Sequence, residues 1–403
     1  MRETAPVRGH WFVARLVTVM AMAAGLFVAT GSIGQPAGAS TGAPVVFGDI
    51  CSCTDAEASA IAGTSNVLQA WVSWTNAHGG IDGHQVQLVI KDDALNPATS
   101  LADVQALVQG NHIIGLFDNS DEDPAWATYI EQQKVPVFGN PESYAGQSNP
   151  DFYPEGTTFN NAVVSEAVAL KLAHIKKLAS MYCVEVAVCA QAVPQLAAAL
   201  KKEGYGTQIV YKSGIAFTAP NYAAQCLAAK QAGAQAVTVG DASEIVTKVA
   251  EDCAQQGYDP LELGSGGTVS SSWLTVPAMD KNIDTQEDLP WFVHNAATKD
   301  MFAAFAKYAP SIPTSVDFGE TYITAWAGGQ EALAAGEAGH LSATPTAAEF
   351  TNGLESLKGD TLGGLTPPLT FAKGKDHQIA CFYEMGIKDK KFVLLNGGKY
   401  ICP

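Results

Sequence analysis

The sequence predicts an α/β protein built from two doubly wound domains. Three observations carry that expectation. Short strand patterns alternate with helix patterns from Val45 to Phe138, the alternation begins afresh from Ala162 to Gly264, and a Pro-, Gly- and Asn-rich passage, Asn140 to Thr158, separates the two runs. Strands that alternate with helices pair in parallel, and each crossover helix connects right-handedly.

At the amino end, Arg2, Arg8 and Arg15 precede an apolar run from Leu16 to Thr30, which gives way to small residues ending Ala37-Gly38-Ala39. This is the layout of a secretory signal peptide cleaved after Ala39; a membrane span needs about 20 apolar residues, and glycine, serine and proline interrupt this run too early. The next cysteine, Cys51, already falls in the first strand pattern, so no lipid-attachment cysteine is expected. The protein is therefore expected outside the cytoplasm. The whole chain of 403 residues carries 23 basic and 40 acidic side chains, a net charge of −17. Without residues 1–39 the balance is 20 to 39, or −19. Such a charge excludes nucleic acid and anionic membrane surfaces as partners.

The elements follow in order. Val45 to Ile50 reads as a strand and Glu57 to Ala77 as a helix, with Leu68, Trp71, Val72 and Thr75 at helical spacing and Gly79-Gly80 ending it. Val86, Leu88 and Ile90 alternate as a strand does, running into Asp92-Asp93, where ligands bind on parallel sheets. Asn96-Pro97 opens a helix, Ala98 to Gln109. The third strand is His112 to Phe117, a loop Asp118 to Asp123 leads to a helix starting at Pro124, and Val135 to Phe138 is the fourth strand. In the second run, helices Ala162 to His174, Gln191 to Glu203, Asn221 to Ala232 and Ala242 to Gln256 alternate with strands Leu178 to Cys183, Thr207 to Ser213, Ala236 to Gly240 and Leu261 to Gly264. From Thr298 the pattern turns helical, over Met301 to Tyr308, Phe318 to Ala335 and Thr346 to Leu357. Strands Leu369 to Phe371, Gln378 to Ile387 and Lys391 to Leu395 close the chain. Helices without intervening strands do not make a third domain here; they are expected to pack back on the first, and the closing strands to extend the second. The boundaries implied are 1–39 for the signal peptide, 40–159 and 296–362 for the first lobe, and 160–295 and 363–403 for the second.

Eight cysteines in an exported chain are expected to pair. Local spacing favours Cys226 with Cys253 on successive helices, Cys381 with Cys402 across a terminal hairpin and Cys183 with Cys189 around a short loop, which leaves Cys51 with Cys53. The CxxC spacing and histidine cluster of a zinc site are missing, and no metal or cofactor is expected.

Enzyme signatures are absent too: no GxSxG elbow, Walker loop, HExxH or dinucleotide GxGxxG. The cluster Gly264-Ser265-Gly266-Gly267 follows a short strand without opening a phosphate-binding helix, and His78, His84 and His112 lie in turn or strand-edge contexts. Binding signals are stronger. Asn119 and Ser120 follow the third strand, just before the helix at Pro124, and Ser143 and Tyr144 follow the fourth, so both pairs sit where a ligand carboxylate is held. The acidic neighbours Asp118, Asp121, Glu122 and Asp123 would repel such an anion unless they face solvent or meet a cation on the ligand. Trp126 and Trp273 could pack on a ligand or at a lobe interface, whereas Trp71 belongs to the core.

Asn76, Gly79-Gly80-Ile81-Asp82-Gly83, Asp92-Asp93 and Asn96-Pro97-Ala98 together resemble the signature of the type I periplasmic binding proteins that feed ABC importers of branched-chain amino acids and amides. Ile113-Ile114-Gly115, Asn119-Ser120, Val135-Pro136-Val137, Phe217-Thr218-Ala219-Pro220-Asn221-Tyr222 and Gln231-Ala232-Gly233-Ala234 follow in the family's order. The resemblance implies two Rossmann-like lobes joined by three crossovers, closing on a solute by hinge rotation and handing it to membrane permease subunits, as a monomer and without catalysis. It implies carboxylate-binding positions at Asn119 or Ser120 and at Ser143, and second-lobe contacts near Glu185, at Ala242-Ser243 and on the loop Ser265 to Thr268, which includes Gly266 and Thr268. Two departures stand out. The acid that binds the ligand ammonium in the leucine-binding branch would fall near Gly266, where only serine and glycine occur, and Cys51-Ser52-Cys53 replaces a Gly- and Ser-rich turn. Asp241, Glu185 or Glu244 could supply the missing charge; otherwise a carboxylate or amide is expected in preference to a free amino acid. A ligand-sensing protein of the same fold that signals to a membrane partner is the alternative function.

Overall fold

The computed structural model describes residues 42–54, 61–185, 187–202 and 206–403. The expected signal peptide, the start of the helix expected from Glu57, and Glu203 at the end of another lie outside the described residues. Five parallel strands form the first sheet: β1 (Val45–Cys51), β2 (Val86–Asp92), β3 (Gly115–Asn119), β4 (Val137–Phe138) and β5 (Phe152–Tyr153), in the order β2-β1-β3-β4-β5. Helices α1 (Thr64–Ala77), α2 (Pro97–Gln109) and α3 (Ala127–Gln133) connect them. Asn96 accepts a hydrogen bond from the Thr99 amide and Pro97 occupies the first turn of α2, so the Asn-Pro pair caps the helix it opens.

The second sheet repeats this plan. After α4 (Phe159–Leu172) come β6 (Lys177–Cys183), α5 (Ala187–Lys202), β7 (Gln208–Ile215), α6 (Ala223–Gln231), β8 (Ala236–Gly240), α7 (Ser243–Gln255), β9 (Leu261–Ser265) and β10 (Ile283–Gln286). The parallel run β7-β6-β8-β9-β10 has the same order as the first sheet, so each has its switch point beside its first strand.

The chain then returns to the first sheet. Helices α8 (Lys299–Tyr308) and α9 (Glu320–Gly339) pack on α1, and α10 (Ala347–Ser356) packs on α9. Phe350 of α10 lies 5.3 Å from Phe47 of β1, which also meets Phe117 at 5.2 Å and Phe138 at 5.8 Å. These edge-on contacts seal one face of the first sheet. Close approach of α9 depends on Gly329, where a Cβ would come within 2.7 Å of the Trp71 ring. A short pair, β11 (Lys358–Asp360) and β12 (Leu369–Thr370), precedes β13 (Tyr383–Lys388) and β14 (Lys391–Leu394). These last strands add antiparallel to β10 and complete the second sheet as β14-β13-β10-β9-β8-β6-β7. The chain thus crosses between the sheets three times.

Several boundaries differ from the sequence pattern. The third strand starts three residues later than His112, whose φ of 54° breaks extended pairing, and it carries Asp118 and Asn119 inside the strand. Both β5 and β10 fall where loops were expected: β5 lies inside the Pro-, Gly- and Asn-rich passage, and β10 is polar at three of its four positions. The cysteine sulfurs lie at bonding distance in the four expected pairs, with Cα separations of 5.2 Å for Cys51–Cys53, 5.5 Å for Cys183–Cys189, 4.9 Å for Cys226–Cys253 and 4.2 Å for Cys381–Cys402.

Candidate functional site

The loops at the carboxyl ends of β3, β4, β6, β8 and β9 converge on a cleft of about 520 Å³, walled also by α4, α5 and the start of α9. Asn119, Ser120, Ser143, Tyr144, Glu185, Ala242, Gly266 and Thr268 all line it. Ser243 does not: its hydroxyl accepts from Trp273 Nε1 at 2.9 Å and meets Ser270 Oγ at 2.9 Å inside the core. Trp273 and Trp126 are fully buried, the latter stacked on Phe152, so neither faces a ligand. Asp92 and Asp93 also stand off the cleft and organise the loops behind it.

Asn119, Ser120 and Ser143 each donate a hydrogen bond inside the first lobe. Asn119 Nδ2 donates to Asp49 Oδ1 at 2.8 Å, Ser120 Oγ donates to Asp93 Oδ2 at 2.5 Å, and Ser143 Oγ donates to Asp123 Oδ2. Each accepting carboxyl is buried. Asp93 in addition accepts from Ser52 Oγ at 2.8 Å and the Leu95 amide at 3.0 Å, while Ser143 Oγ accepts from the Gly146 amide at 2.7 Å. These side chains therefore build the loops out of carboxyl-centred networks, and the hydroxyl protons of Ser120 and Ser143 go to internal carboxyls.

Acceptors predominate on the walls. Asp118, Asp121, Glu122, Asp123, Glu142, Glu166, Glu185, Asp241 and Glu287 line the cleft, and no lysine, arginine or histidine is among its lining residues. Burial pushes Asp123 up to about 7, opposed by the Ser143 hydrogen bond and reinforced by Asp121. Asp118, buried beside Asp123, is held well above the usual carboxylate range. Asp241 follows β8 and is 8 % exposed; its Oδ1 accepts from the Ala242 amide at 2.8 Å and its Oδ2 has no partner. Burial, then repulsion from Glu185 and Glu244, raises it to about 7.

Carboxyls from elsewhere in the chain stand beside Gly266 and Gly267. Glu287, just beyond β10 and 4 % exposed, places its unpartnered Oε1 2.5 Å from where a Gly266 Cβ would stand. Glu142 Oε2 holds the same relation to Gly267, at 2.5 Å. Burial raises Glu142 to about 8 and, with the neighbouring Glu142, raises Glu287 well above its usual range. Glu320, at the first position of α9, anchors this corner by accepting from the amides of Glu287 at 2.6 Å and Gly267 at 3.2 Å. Glu142 adjoins Ser143 and could have been read from sequence as a wall residue. Glu287 could not, since only the crossover after β10 brings it here.

Phe159 and Val163 of α4, beside Glu166, and Val193 and Leu196 of α5 add apolar surface to the cleft wall. The arrangement suits a solute with an apolar body and hydrogen-bond donors.

The sequence model of a family described as periplasmic binding protein matches residues 45–391. No curated protein matches the chain. Among solved structures, a branched-chain amino acid ABC transporter protein from Thermus thermophilus with bound valine superimposes with a TM-score of 0.78 at 14 % identity, over 90 % of this chain and 97 % of that one. A fatty acid ABC transporter substrate-binding protein from Thermomonospora curvata gives 0.74 at 18 % identity, over 87 % and 91 %. A solute-binding protein from R. palustris in complex with benzoate gives 0.72 at 14 % identity, over 89 % and 98 %. At these identities the likeness is one of fold.

Proposed function

The chain belongs to the periplasmic binding protein family, and from that premise we propose that it captures a small solute between its lobes by hinge closure and presents it to the permease of an ABC importer. Binding proteins of this family act outside the cytoplasmic membrane, with permeases, and are not enzymes. The lobes are taken as 40–159 with 296–362, and 160–295 with 363–403, acting as a monomer. The observation that carries the reading is the cleft itself: about 520 Å³, walled by the strand ends of two sheets that three crossovers join. Closure around a guest desolvates it and remakes the outer surface that a membrane partner meets.

The solute is taken to offer N–H donors, as an amino-acid-like compound or an amide does. A bare carboxylate, which the resemblance also allowed, suits the cleft less well, because Asn119, Ser120 and Ser143 donate to internal carboxyls. Small-angle X-ray scattering of residues 40–403 with a panel of amines, amides, amino acids and organic acids tests the reading. A saturable fall in radius of gyration with one solute class is expected; a bound solute that leaves the dimensions unchanged would remove hinge closure from the account.

A further inference from the structure

The cleft holds nine carboxyl side chains and no cationic one among its lining residues. An acidic surface alone is commonplace, because water solvates it. Here two of the carboxyls are removed from water and keep an oxygen without a partner, Asp241 Oδ2 and Glu287 Oε1, and both residues stand on the cavity wall. A buried acceptor left unpaired is costly, and the cost disappears when a donor arrives with the guest.

These two acceptors belong to different acidic groups. Asp241 follows β8 and Glu287 follows β10, with β9 between those strands in the sheet. Strands two places apart are separated by about 9.5 Å, so the two acceptors do not share one ammonium. Glu142, after β4, faces Gly267 beside Glu287, and Glu185, after β6, lies next to Asp241 in strand order. The apolar faces of α4 and α5 offer Phe159, Val163, Val193 and Leu196 to a methylene chain.

We propose that the solute is an aliphatic di- or polyamine, one ammonium held by Glu142 and Glu287, a second by Asp241 with Glu185, and the alkyl chain laid against α4 and α5. This assignment rests on the solute-binding reading above and narrows it. A carboxylate would bring more negative charge to a surface that has no cation to receive it. A neutral amide would satisfy the two acceptors and leave the charge of the surrounding acids uncompensated. An ammonium at each group does both. Three-point or higher metal coordination is not the occupant, since among the described residues no group of three or more His, Cys, Asp and Glu is arranged to hold an ion.

Residues 40–403, purified free of small molecules, would be titrated calorimetrically and by thermal melting with butane-1,4-diamine, spermidine, butylamine, leucine, benzoate and hexanoate. The diamine or spermidine is expected to raise the melting midpoint by about 5 °C at a hundredfold excess over its dissociation constant. Butylamine, with one charge, is expected to bind at least about tenfold more weakly. Glu142→Gln and Asp241→Asn are each expected to weaken spermidine about tenfold or more. Both unliganded variants should melt no lower than the parent, because each change replaces a carboxyl that burial makes costly to ionise by a neutral amide of the same shape. A purely structural role for these residues predicts the reverse, a lower melting point with affinity unchanged. Saturable compaction by leucine, benzoate or hexanoate with no response to amines would overturn the amine assignment while the importer reading stands. Equal spermidine affinity in parent and both variants would overturn it as well, and so would silence of the amines alongside silence of the rest.

Discussion

Replacing Ser143 by alanine takes the hydroxyl donor from a buried Asp123 carboxyl and the acceptor from the Gly146 amide. The expected result in urea denaturation is a loss of about 1–3 kcal/mol of stability, with solute affinity changed little. Tenfold weaker binding at unaltered stability would instead put that hydroxyl on the solute. Gly266→Ala acts differently. A methyl group there meets Glu287 Oε1 and, at 3.0 Å, Glu320 Oε2, so the carboxyl corner must move. A loss of roughly 1–3 kcal/mol is expected from such overpacking, read as a lower urea midpoint, together with weaker solute binding; unchanged values for both would show that the corner yields freely. Sequence brought Ser120 and Ser143 to the ends of β3 and β4, although it ended β3 two residues early and so left Asn119 outside the strand. It could not tell which way their protons point. That depends on Asp49, Asp93 and Asp123, whose side chains become the partners only once neighbouring loops are stacked.

At the level of whole elements, helices and most strands were legible, even the two-residue β4 and β12, whereas β5 and β10 were not. The alternation Val86, Leu88, Ile90 marks β2 plainly, whereas Ile283–Gln286 is polar at three of its four positions and becomes a strand only by pairing with β9 and β13. Its neighbours supply the order that its own composition lacks. Missing β10 also hid Glu287, so the gap in the fold and the gap in the site have one cause. Helices α6 and α7 are tied by Cys226–Cys253, both fully buried, across 27 residues. Replacing the pair by alanine is expected to lower unfolding stability by roughly 3–4 kcal/mol, through a less restricted unfolded chain. Chemical denaturation of the double variant checks this, and a loss under about 1 kcal/mol would mean that helix packing, not the link, holds them.

Across the whole molecule, buried acids couple folding to pH. Asp284 is pushed to about 7 and Glu262 to about 8 by burial, and Glu155, Glu320 and Glu331 are raised well above their usual range for the same reason. A carboxyl raised on folding binds more protons folded than unfolded between its two pKa values. Stability therefore falls as pH climbs from about 4 towards 8, by up to about 1.4 kcal/mol per unit for each such group, and levels off above the folded value. Thermal melting of the unliganded protein is expected to be higher at pH 5 than at pH 8; a midpoint that rises across this window would contradict the protonation states described. The three crossings have a consequence in time rather than in space. Phe350 is needed to seal the face of the first sheet around Phe47, and Gly386 pairs with Ile283 to finish the second. A chain emerging from the ribosome amino end first must carry two half-built sheets until its closing segments appear, so long-range closure, not helix formation, sets the pace of maturation.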